Sequence, residues 1–166
     1  MNPILQQIKT AIYDQCALVI SNYKTEAEGQ EYHACQFTLN KQHILCRNAK
    51  ITPKKVGQFV TCWRRNEKGV TELFHEKDVI DFYVINVKYE EKLGQFVFPK
   101  SILIAKGIIS TEQKEGKRGF RVYPKWDVTN NKQAERTQQW QLNYFFEIND
   151  STDLIQVKGL YSKNHF

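Results

Sequence analysis

Residues 80–100 read IDFYVINVKYEEKLGQFVFPK. Asp81, Tyr83, Ile85 and Val87 alternate with Phe82 and Val84. Successive side chains of a strand point to opposite faces, so this segment is apolar on both, which marks a central strand. Residues 90–93 turn the chain, and residues 94–98 return as a second strand. A hairpin buried on both faces needs a layer against each. That predicts a mixed sheet flanked by helices.

Upstream, residues 32–39 and 42–49 predict another hairpin about Asn40 and Lys41. With Leu39 opposite Gln42, one face carries Cys35, Phe37, Ile44 and Cys46, and the other carries Gln36, Thr38, His43 and Arg47. That alternation fits a half-buried pair. His33 with Cys35, and His43 with Cys46, have the spacing of metal ligands, but His43 and Cys46 fall on opposite faces. A zinc site needs converging ligands, so the thiols are assigned to the core and no metal site is predicted. Residues 3–22 predict a helix, with Ile4, Leu5, Ile8, Ile12 and Val19 at helical spacing and Pro3 in its first turn. Residues 57–65 read as a strand after a turn at 52–55.

Downstream, residues 101–106 predict a short helix ended by Gly107, and residues 119–123 a strand stopped by Pro124. Residues 130–148 predict a long helix that carries Trp140 and Tyr144 one turn apart. The tail adds an edge strand at 154–157. The order of elements is that of an α+β single domain over residues 1–166. The chain start lacks a cationic leader, and no apolar run approaches the ~18 residues needed to cross a bilayer. The expectation is a cytoplasmic protein with no membrane partner and with Cys16, Cys35, Cys46 and Cys62 reduced.

Charge is segregated. The chain carries 24 Lys and Arg against 18 Asp and Glu, with a pI near 9.1. Residues 94–126 hold seven cations and two acids, interleaved with Phe96, Phe98, Phe120, Tyr123 and Trp126. Residues 47–68 hold seven cations and one acid. Cations beside aromatic rings suit a polyanion that also offers flat bases. The candidate contacts are Lys54, Lys55, Arg64, Arg65, Lys100, Lys117, Arg118, Arg121 and Lys125. Arg121, between Phe120 and Val122, is expected to be partly buried and to need an anionic partner, for which Asp81 is the candidate.

Several segments together resemble the MepB-like family. They are AKITPKK at 49–55, GQFV at 57–60 with Trp63, Asp81-Phe82, GQFVFPK at 94–100, GKR at 116–118 with FRVYP at 120–124, and Thr137-Gln138 with Trp140-Gln141. The resemblance runs roughly from Ala49 to Phe146. It implies a bacterial cytoplasmic protein with a restriction-endonuclease-like α/β fold that binds nucleic acid, DNA ahead of RNA. Nucleases of that fold set an Asp on one strand and an acid-x-Lys on the next, where the acids hold a divalent metal and the Lys helps activate water. Asp81 and Lys100 match, on one face if Val87 opposes Phe96, but Phe98 occupies the acid position. Read one step earlier, Gln95 replaces the acid and Val97 the lysine. The implied function is therefore non-catalytic binding through a basic face with weak sequence preference and no cofactor. The alternative is a Mg-dependent nuclease whose acid has migrated to Asp14, Glu26, Glu28 or Glu31. A more distant third is a module for small anions or a protein partner.

Overall fold

The structure is a computed structural model that describes residues 1–162. In chain order the helices are α1 (Pro3–Ile8), α2 (Lys100–Ala105), α3 (Lys132–Gln141) and α4 (Leu154–Leu160). The strands are β1 (Ile20–Thr25), β2 (Cys35–Leu39), β3 (Gln42–Asn48), β4 (Lys50–Ile51), β5 (Gln58–Thr61), β6 (Trp63–Arg65), β7 (Thr71–Leu73), β8 (Phe82–Tyr89), β9 (Lys92–Pro99), β10 (Gly119–Val122) and β11 (Phe145–Glu147). The main sheet has the order β1-β2-β3-β8-β9-β11. Its pairs are antiparallel except β3 with β8, which run parallel. A second sheet, β10-β5-β4, lies beside it, and β6 and β7 form a separate ribbon. The chain is thus one mixed α+β domain with helices on its principal sheet. No helix among the described residues is long and apolar enough to cross a membrane.

The hairpin of residues 80–100 sits inside the main sheet, as its two apolar faces require. One face packs Cys35, Phe37, Ile44, Cys46, Val84 and Val97 under the N-terminal helix and α4. The other packs Leu45, Tyr83, Ile85, Phe96 and Phe98 under the second sheet, α2 and α3. The Cys35–Cys46 and Leu39–Gln42 registers follow the alternation of the sequence. The β8–β9 register differs from expectation by two residues: Val87 faces Gly94. Tyr89 closes on Lys92 around Glu90, whose φ of 53° makes the turn tight. Gly94 leaves room there for the ring of Phe145, which a Cβ would approach to 2.5 Å.

Four expected elements take another form. The N-terminal helix continues through a widened turn (Lys9–Tyr13) and a tight one (Asp14–Cys16), then stops at Ala17, with φ 54°. Val19 is exposed and the chain moves on to pair β1 with the open side of β2. The strand expected over residues 57–65 breaks at Cys62 into β5 and β6. The helix expected over residues 130–148 stops at Gln141, because Phe145 and Phe146 are both buried and lie in the two opposite core layers. Adjacent residues reach opposite layers on a strand, and β11 pairs with β9 accordingly. The tail is the helix α4 rather than a strand. Asp153 caps it through the N–H groups of Ile155 and Gln156, and Val157 and Leu160, three apart, are buried.

Candidate nucleic-acid interface

β10 places Phe120 and Val122 in the core and turns Arg121 and Tyr123 the other way. There, with the loop at residues 52–57 and α3, they line a cleft of about 620 Å³. Among the described residues Lys54, Lys55, Lys106, Lys117 and Arg121 line it, and no Asp or Glu does. Two cations of the block at 47–68 and three of the block at 94–126 meet here.

The Arg121 guanidinium donates to the carbonyls of Val56 and Gly57, both at 3.3 Å, and to Thr52 Oγ1 at 2.6 Å. All three acceptors are neutral, which corrects the expected pairing with Asp81. Asp81 sits elsewhere, just before β8, where its carboxylate accepts the His43 N–H at 2.7 Å. The loop at residues 52–57 therefore accepts three hydrogen bonds from Arg121 without cancelling its charge. Asp127, outside the cleft lining, accepts a hydrogen bond from the Gly57 backbone, and burial pushes its carboxyl up from the ordinary range. Gly57 has a φ of 85°, and a Cβ there would lie 2.7 Å from the Tyr123 ring. Only glycine lets the loop lie flat on that ring.

α3 forms the opposite wall. Asn131 caps it by accepting the Ala134 N–H at 2.8 Å. Gln138 Nε2 ties it to the carbonyls of Pro124 and Asp127, each at 3.0 Å. Trp140 lies 5.5 Å from Phe98, ring to ring, and the Lys106 ammonium sits 5.4 Å over the indole. Lys106 counts among the seven cations of residues 94–126 but was not among the expected contacts.

Of the nine expected contacts, Lys54, Lys55, Lys117 and Arg121 line this cleft. The other five do not. Arg64 is bridged to Asp78 at 2.8 Å and Glu72 at 3.0 Å, and the hydrogen bond to Asp78 chiefly raises its pKa. Arg65 lies over Trp63 and donates to the Gly69 carbonyl. Lys100 spends its ammonium on the carbonyls of Glu76 and Asp78. Arg118 and Lys125 are exposed outside the lining.

Asp81, Gln95 and Lys100 do not form a convergent set. Asp81 and Lys100 are neighbours across β8 and β9, but only through the Lys100 N–H on the Asp81 carbonyl, at 3.1 Å. Gln95 faces Asn86, five residues along β8 from Asp81, which is roughly 17 Å at the rise of a strand. It is fully buried beneath α1 and α4 in a polar network. Its Oε1 accepts from Tyr161 at 2.5 Å and Tyr13 at 3.3 Å, and its Nε2 donates to Asn86 at 2.8 Å. Burial pushes both tyrosines well above their ordinary pKa, so both remain neutral donors. Phe98, at the acid position, is core, with Trp140, Tyr144 and Phe120 around it. Among the proposed migrated acids, Asp14 is held by Lys9, Glu26 by Arg47 and Glu31 by Lys50.

One cluster was not visible in the sequence. His75, Glu76 and Glu112 place ligand atoms within 4.8 Å of one another, because the chain at His75 runs parallel to Ser110. Its chemistry does not suit a metal. His75 Nδ1 accepts the Lys77 N–H, which leaves the ring proton of the neutral imidazole on Nε2, facing Glu112. The Lys77 ammonium already neutralises Glu112 at 2.8 Å.

With the mixed sheet, its second sheet and the acid-free cleft in view, comparison with known proteins places the chain. The sequence matches the MepB-like family over residues 26–147. It belongs to that family. A solved structure, the crystal structure of MepB, is 36% identical, superposes with a TM-score of 0.77, and aligns over 91% of this chain and all of its own. Among curated proteins none matches.

Proposed function

We propose that this chain is a bacterial cytoplasmic protein that binds nucleic acid without cutting it, on a scaffold related to the restriction-endonuclease fold. The observation that carries the proposal is the cleft between β10, the loop at residues 52–57 and α3. Among the described residues five cations line it, no carboxylate does, and Arg121 is held by neutral oxygens. Several cations outside it are paired: Lys9, Lys50, Arg64 and Lys77 each meet an acid. A recess that gathers uncompensated cations favours a polyanion, and phosphate contact carries no base information. The ligand is DNA ahead of RNA, with weak sequence preference. The mixed sheet clothed by helices is consistent with the nuclease-like scaffold, and the separation of Gln95 from Asp81 and Lys100 supports a non-catalytic role. The test is incubation with supercoiled plasmid and Mg²⁺ or Mn²⁺, followed by a gel shift. Retarded, intact plasmid supports the proposal. Nicking that Asp81→Ala abolishes would establish the nuclease instead.

A further inference from the structure

We propose that the cleft receives an unpaired strand, with a base laid against Tyr123 and its phosphate against Arg121, so that single-stranded nucleic acid is preferred over duplex. This rests on the nucleic-acid reading above and goes beyond it. The first argument is shape. The cations sit around a recess of about 620 Å³, not along a ridge or a flat face. That is the size of a pocket for a small ligand. A duplex is convex and keeps its bases stacked inside, so it offers such a recess only backbone. An unpaired strand can turn a base away from its backbone and insert it.

The second argument is Tyr123. Its ring is half-buried in the cleft wall and pressed against Gly57, at whose Cα a methyl group would come within 2.7 Å. Its orientation is therefore fixed. Among the described residues it meets no other aromatic ring, and its hydroxyl has no hydrogen-bond partner. A rigid tyrosine with an unused hydroxyl, two residues along the chain from Arg121, is what a base next to its phosphate requires. Thr137 and Gln133 add uncharged polar groups to the α3 wall. Trp140 serves differently, since Phe98 and the Lys106 ammonium already occupy its surroundings.

The test compares one short labelled strand with its blunt duplex by fluorescence anisotropy at fixed salt. A second readout is 2-aminopurine in the strand, whose emission is quenched when the base stacks. The inference expects the strand to bind at least about tenfold tighter than the duplex, the order of one base–aromatic stack. It also expects quenching in the strand. Tyr123→Leu should reduce that preference and the quenching while the salt dependence stays that of the parent. If the variant fails to fold, the quenching on the parent protein still decides. Equal or tighter duplex binding without quenching would overturn this inference and leave the proposed function intact. No binding to either form would overturn both.

Discussion

The side-chain Nε2 of Gln141 donates to the carbonyl oxygen of Arg121 at 2.8 Å, and its Oε1 accepts the Tyr123 N–H at 2.9 Å. One buried amide thus completes the outer edge of β10, whose other edge pairs with β5. It also fixes α3, and with it the far wall of the cleft.

Gln141→Leu keeps most of the volume and strands two backbone groups. It should cost about 2 kcal/mol, as buried unsatisfied polar groups do. Urea unfolding measures this. A change within about half a kcal/mol would mean that α3 is held by packing alone.

The central hairpin was legible because its two apolar faces admit one position in a sheet. The Cys35–Cys46 register was legible because a slip by one residue would have put the two thiols on opposite faces. The end of α3 was not. Gln141, Phe145 and Ile148 keep a helical spacing, and only pairing with β9 makes Phe145 and Phe146 strand neighbours. The partner of Arg121 was hidden for a similar reason: backbone carbonyls carry no sequence signature. Charge segregation marked the two basic blocks, but not where their cations would gather or which would be consumed. Arg64 was drawn to Asp78 by a fold of the chain that no spacing announces.

Gln95→Glu restores an acid one residue after Gly94. No metal-dependent cleavage should appear, because residue 95 lies roughly 17 Å along the strands from Asp81 and Lys100. A carboxylate in this fully buried site has its folded pKa raised above the ordinary value of about 4.3. The folded state then binds the proton more tightly than the unfolded one. The variant should be destabilised at pH 7 and regain stability as pH falls through the folded pKa towards 4.3. Urea midpoints at pH 7 and pH 5 check the sign. A midpoint that falls on acidification more than that of the parent would contradict it.

Arg47 belongs to a basic block by sequence but is not available to a ligand. It is almost fully buried, donates to Glu26 at 2.6 Å and to the Cys46 carbonyl at 2.9 Å, and lies near the rings of Phe74 and Tyr83. Arg47→Met leaves Glu26 buried and should cost about 3–5 kcal/mol. Adding Glu26→Gln should recover part of that loss. A double variant no more stable than the single one would show that the pair is not coupled.

The central claim is that the acid-free cleft is the nucleic-acid interface. Its most direct test is the salt dependence of binding for the parent, for Lys54→Ala/Lys55→Ala/Lys117→Ala, and for Arg65→Ala/Lys68→Ala outside the cleft. The account predicts steep salt dependence for the parent, with roughly one unit of log–log slope per phosphate neutralised. The cleft variant should lose affinity for all sequences alike and show a flatter slope, while the outside variant keeps both. Salt-independent binding, or equal losses in the two variants, would contradict it.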